Sequence, residues 1–347
     1  MVLQRYGGTS CTLPCLAERI EFASQADPCG DPECVKPKKA YERIMNTQPG
    51  YQWGDAGGYC GSFATQRAAM AKGAWISQQQ VRDHTSPGAP GSHDEEVLDT
   101  NIAQAWKSLK LKYEAFDYRH EATPQIDEIR AFLKKQLASG NVVVMMIQKA
   151  GHRFPIYNMK PPSGFYDHVV PFVGVLSDRP LNETLFQDDD YIVHYTDHSV
   201  YPYYRSMKSL VGTYSDLFGS RCPATSGDPQ YVCLNPTYGY GWALQDLDDD
   251  KDGLPLSLTV DPWQSEPDTR EGAAPVPLTG TLHIEGLTVG AKYALFRWDS
   301  VDAAFDYSRP TSTHRFTATA TTETYTDPKS FISSGTTYYR CIAEAVA

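Results

Sequence analysis

The chain has 347 residues, 41% of them hydrophobic, and carries 31 Lys and Arg against 42 Asp and Glu, for a formal net charge of −11. That length holds two domains rather than one small module, and the acidic balance repels phosphate backbones, which disfavours nucleic acid as a partner. The longest apolar run, VVVMMI at 142–147, is far short of the roughly 18–20 residues a membrane helix needs, so no membrane span is expected.

Residues 1–50 are rich in Cys, Pro and Gly and read as an irregular, cross-linked N-terminal arm with one short helix near YERIMNT. Cys11, Cys15, Cys29 and Cys34 lie here, and with Cys222 and Cys233 they make three close pairs. Close pairs in Pro/Gly-rich surroundings suit short disulfide loops and an oxidising compartment. Connectivity stays open, and a four-cysteine zinc site in the arm is the alternative, although neither pair has the usual two-residue gap. A secreted protein is therefore expected. Its leader would be absent, because MVLQRYGGTSC lacks a basic-then-apolar opening. The sequon Asn182-Glu183-Thr184 agrees with secretion. Cys60 and Cys341 are left over as thiols or as partners of one another.

From Cys60 the pattern turns helical. CGSFATQRAAMAKGAW spaces Ala and Met at helical intervals, with Gly73 as a late bend or stop. A turn-rich loop follows, then a second helix in SHDEEVLDTNIAQAWKSLK, capped by Ser92, with Val97, Ile102, Ala105 and Trp106 as its apolar stripe. Pro124 opens a third helix, lined by Ile126, Ile129, Phe132, Leu133 and Leu137 and ended by Gly140. Strands are expected in NVVVMMIQ, in DHVVPFVGVL, in DYIVHYTD and in LSLTVDPW, with Pro171 marking an edge or a bulge in the second. Helices followed by a run of strands make an α+β pattern. QSEPDTREGAAPVP reads as a linker. Beyond about residue 275, LTGTLHIEGLTVGAKYALFRW, HRFTATATTETYTDP and TTYYRCIAEAV alternate with turns between them, which implies a small antiparallel β-sandwich.

The chemistry-bearing stretch is YQWGDAGGYCGSFATQ, 51–66. A thiol attacks well only as thiolate, and a helix N-terminus or an imidazolium partner stabilises that anion. The glycine-rich entry followed by a helical run places Cys60 at such an end. His168 heads the most strand-like run and is the candidate base, with His152 as its rival. If the next strand pairs antiparallel, its Asp197 comes beside His168 and orients the ring. Gln52 offers a side-chain NH2 that could hold an oxyanion together with the Cys60 N–H. The bland alternatives are a core thiol at Cys60, a core histidine at His168 and a solvated turn at Asp188–Asp190.

The order Gln52, then Cys60-Gly61-Ser62, then His168-x-Val170 running to Val173-Gly174, then Asp197 on the following strand, resembles the papain-like cysteine peptidases over roughly residues 50–200. By that resemblance Gln52 is the oxyanion-hole glutamine, Cys60 the nucleophile, His168 the general base and acid, and Asp197 the orienting residue. Phe63 and Ala64 replace the usual cysteine and aromatic, Asp replaces the commoner Asn, and no Ser-Trp follows it. These departures are similar to the divergent branch that includes bacteriocin-processing peptidases. The implied layout is a disulfide-rich arm at 1–50, a papain-like domain at 51–265 and a sandwich at 275–347, whose GLTVGAKYALFRW resembles fibronectin-type-III-like domains. The implied activity is cofactor-free hydrolysis of a peptide or protein substrate, with acyl transfer through the same thioester, or an inactive scaffold that binds partners, as rivals. The sandwich could dock to a surface or glycan.

Two further patterns stand out. Asp248, Asp250, Asp252 and Gly253 fit the early positions of a calcium loop, but the closing acid falls on Thr259, so a structural calcium and a plain acidic turn compete. The aromatic runs SVYPYYRSM and NPTYGYGWAL are candidates for lining a substrate groove.

Overall fold

A computed structural model describes residues 34–50, 52, 59–85, 97, 101–117, 126–150, 165–183, 186–195, 202–207, 232–233, 240–262 and 275–344, with backbone alone at 117, 126, 146–150, 165–168, 232–233 and 240. Within them the chain is α+β in the coarse sense, with few helices and several antiparallel sheets. Strands are numbered along the chain. The larger sheet runs β3 (Leu111–Asp117), β9 (Tyr240–Leu247), β4 (Val142–Ala150), β5 (Phe165–Ser177), β6 (Tyr191–His194) and β7 (Tyr203–Ser206), with β1 (Tyr41–Ile44) paired to the far end of β5 and β8 (Val232–Cys233) to β4.

The four helices among the described residues are α1 (Cys60–Met70), α2 (Gln78–Asp83), α3 (Ile102–Ser108) and α4 (Ile126–Ala138). They layer on the sheet by strand alternation. Gly241 and Val143 meet Ile129 and Phe132 of α4 on one face. Trp242, one position on, points the other way and packs against Trp106 of α3, whose Nε1 donates to Thr65 of α1 at 3.0 Å. Val142 to Met145 are fully buried, as a strand covered on both faces must be. Pro171 sits in a central strand rather than at an edge, and the register slips between Phe172 and Gly174 beside it. The bulge half of that expectation is therefore what the chain uses.

YERI is a strand, not a helix: it pairs with Ser177 to Gly174 in β5, and that pairing outweighs the local helical spacing. The second helix is shorter than its apolar stripe suggested, beginning after Asn101; Ser92 lies outside the described residues. Asp190, read as part of a solvated turn, is buried and accepts from the buried Lys134 ammonium at 2.7 Å.

The remaining strands form two facing sheets. One holds β10 (Leu256–Asp261), β11 (Pro277–Glu285), β14 (Thr322–Thr326) and β15 (Phe331–Ile332), and the other holds β13 (Ser312–Thr317), β12 (Lys292–Trp298), β16 (Thr336–Ala343) and β2 (Ala74–Ile76). Between them lie Trp75, Leu258, Leu282, Ile284, Leu295, Tyr339 and Cys341. Two of these strands come from inside the range read as papain-like. β10 pairs with β11 along its whole length, and β2, three residues beyond the end of α1, adds to the edge of β16. Trp75 Nε1 donates to Ser333 O at 3.0 Å and Ser77 Oγ to Ser334 O at 2.9 Å, so the join is hydrogen-bonded on both sides.

Candidate functional site

Cys60 is the first residue of α1 and is half-buried. The helix forms here because Gly61, Ser62, Ala64, Ala68 and Ala69 are small enough to bury the whole rod, and every residue from Gly61 to Met70 is buried. No acidic residue lies in its first turn, and Tyr59, at the N-cap, contributes no side-chain cap hydrogen bond. The positive end of the helix is therefore not neutralised by its own sequence. The buried Arg82 guanidinium lies 4.0 Å from the centre of the Tyr59 ring, which adds a cation against the residue before Cys60. Cys60 and Cys341 are both thiols rather than halves of one disulfide, and Cys34 is disulfide-bonded. Burial inside the sandwich pushes the Cys341 thiol up to about 12, so it stays protonated at neutral pH.

α1 packs against β5, the strand whose backbone carries His168 opposite Ile147 of β4. β5 and β6 are antiparallel neighbours, and the pairing continues past His194 with Tyr195 N donating to Pro171 O at 3.3 Å. Asp197 and His152 lie outside the described residues. His194 is fully committed to the core: it stacks on Tyr203 and its Nε2 accepts from Arg205 Nε at 2.9 Å, which places its proton on Nδ1.

Gln52 is half-buried, with its Oε1 buried and, among the described residues, accepting no hydrogen bond. The segment leading to it is held from three sides. Tyr195 Oη donates to Thr47 O at 2.9 Å. Gln48 pairs its side-chain amide with the backbone of Val260 in β10, donating at 2.9 Å and accepting at 2.6 Å. Arg67, 1% exposed in the middle of α1, donates from Nη1 to the carbonyls of Gln48 at 3.2 Å and Pro49 at 3.1 Å. These three residues escaped the sequence reading. The only trace was a Gln66-Arg67 pair set inside an otherwise small and apolar helix.

The acidic turn does not gather its three candidate ligands. Asp248, Asp250 and Asp252 stay exposed, while Thr259 is in β10 opposite Thr281. The inward charge is Asp249, which takes hydrogen bonds from Tyr307 Oη and from Arg340 Nε; Arg340 also holds Asp246 at 2.7 Å. Among the described residues no group of three or more His, Cys, Asp or Glu is arranged to hold a metal ion. Among the described members of the aromatic runs, Tyr203 is buried against His194 and Trp242 packs on Trp106 and Tyr113, both in the core, while Tyr204 is half-buried. Among the described residues no helix is long and apolar enough to cross a membrane.

No known protein-family model matches the chain, and neither does any curated protein.

Proposed function

We propose that the chain is a thiol hydrolase of peptide or related amide bonds, with Cys60 as nucleophile. The observation that carries this reading is a half-buried thiol at the first residue of a buried helix that packs on the strand bearing His168. The thiolate adds to the carbonyl carbon of the substrate. The Cys60 N–H and the Gln52 amide stabilise the oxygen that takes up the charge. His168 gives its proton to the departing amine, and the thioester remains on sulfur. His168 then takes a proton from water, whose oxygen attacks the thioester and releases the acid and the thiolate. Asp197 holds the imidazole tautomer. A peptide or protein is the substrate. The disulfide at Cys34 and the exposed Asn182 support an extracellular or other oxidising location.

Iodoacetamide at pH 6 followed by peptide mapping tests the reading. Cys60 should label within minutes and Cys341 should not, and Cys60→Ala or His168→Ala should each abolish cleavage of a mixed peptide library. A Cys60 that labels no faster than Cys341 would leave a binding scaffold as the better description. Products carrying an added amine in place of water would assign acyl transfer.

A further inference from the structure

Arg67 is an unusual residue to find where it is. Its guanidinium is buried at the centre of a helix of small residues, 5.3 Å from the centre of the Phe63 ring one turn nearer Cys60. Burying a cation is costly unless its donors are matched, and the matches made here are directional. Nη1 reaches two successive main-chain carbonyls, Gln48 and Pro49, and Nη2 reaches Gln66 Oε1 at 2.5 Å. Gln66 Oε1 in turn accepts from Gln78 Nε2 at 3.4 Å, so a third element steadies the fork. Gly50 lies flat against the same guanidinium, and a Cβ there would come 2.8 Å from Cζ. The chain can pass that close only because the residue is glycine. Gln52 is two residues further on.

From this geometry we infer that Arg67 is a positioning residue for the oxyanion donor: it ties the segment carrying Gln52 to the same helix that carries Cys60, so that thiol and amide keep one fixed relation. This rests on the thiol-hydrolase reading and adds to it a residue that touches neither substrate nor sulfur. Nη1 holds the two adjacent carbonyls while Nη2 is tied to Gln66 on α1, so the rigid guanidinium plane links the loop to the helix at a fixed distance and angle, which a freely rotating ammonium would not set.

Two reactions of the same sulfur separate this role from general support of the fold. Alkylation by iodoacetamide displaces iodide at a saturated carbon and forms no oxyanion. Acylation by 4-nitrophenyl acetate does form one: sulfur bonds to the acetyl carbon, the carbon–oxygen bond breaks and 4-nitrophenolate leaves. Gln52→Ala should slow acylation on the order of 100-fold, the cost of one oxyanion donor, with alkylation unchanged. Arg67→Met and Gly50→Ala should each slow acylation about 10- to 100-fold, again with Cys60 alkylated at the wild-type rate, and neither should add to the loss in a Gln52→Ala background. Gly50→Ala keeps the buried charge and decides the matter should Arg67→Met fail to fold. If the two rates fall together, or if acylation is unchanged in Gly50→Ala, Arg67 is a structural residue and the inference is overturned while the hydrolase reading stands. If wild-type Cys60 resists iodoacetamide, or Cys60→Ala releases 4-nitrophenolate as fast as wild type, the hydrolase reading fails and takes the inference with it.

Discussion

Lys72 shows how burial converts into a pH dependence. Its ammonium donates to Gly140 O at 3.0 Å and Asn141 Oδ1 at 2.9 Å, just beyond the end of α1. Burial is the largest influence and lowers its pKa to about 8; Arg43 and Arg340 push the same way and Asp246 opposes them. An unfolded lysine titrates near 10.4. Between about 8 and that value the unfolded chain binds the proton and the folded one does not, so stability rises with pH across this window; below it the full penalty is present. Lys72→Met should lose that rise. Denaturant unfolding of both proteins between pH 7 and pH 10 should give a wild-type-minus-variant difference that grows with pH by up to about 3 kcal/mol, and a constant difference would refute it. Legibility at this scale followed locality. Cys60 and Gln52 share one short stretch whose glycines and small residues announce a helix entry. Arg67 and Asp190 could not be read, because their meaning depends on partners that packing alone delivers: the Gln48 and Pro49 carbonyls for one and Lys134 for the other.

Elements were legible wherever period and punctuation agreed. α4 has an apolar stripe with Gly140 just past its end, and it forms as expected; β4 follows its continuous apolar run, and β10, β11, β12, β13, β14 and β16 fall in the stretches read as strands. Unforeseen were β1, β2, β3, β7, β8, β9 and β15; β1 and β2 carry no strand signal of their own and become strands because β5 and β16 offer them an edge. β2 depends on the sharp turn at Gly73, where φ is +80° and Tyr339 N donates to the Gly73 carbonyl at 3.0 Å. A Cβ at this position would lie 2.0 Å from Leu256 Cδ1. Gly73→Ala therefore combines backbone strain with a core clash, and chemical denaturation should show a loss of about 2–4 kcal/mol. A loss under 0.5 kcal/mol would mean that the turn relaxes freely.

At the scale of the molecule the sandwich is not an appendage. Composition and alternation revealed its strands from about residue 275 onward, but nothing local could show that Ala74–Ile76 and Leu256–Asp261 complete its two sheets. Arg340 reinforces the union by binding Asp246 near the end of β9 and Asp249 in the turn between β9 and β10. A chain ending at residue 262 would leave Trp75, Leu256, Leu258 and Val260, all at most 5% exposed in the whole protein, open to water. Such a truncation should aggregate or elute as large species in size-exclusion chromatography. A stable monomer with wild-type tryptophan fluorescence would show that the N-terminal part folds alone.

The edge that receives β2 belongs to β16, the last strand of the described chain. A ribosome making this protein releases Trp75 long before Tyr339, and elongation at about 5–20 residues per second leaves tens of seconds between them. For most of that interval the tryptophan lacks Phe331 and Tyr339 from its lining, and the strand that follows the Cys60 helix has no edge to join. A chain lacking β16 would leave β2, and the helix just before it, without the edge that holds them, so the start of this fold waits on a strand made far later.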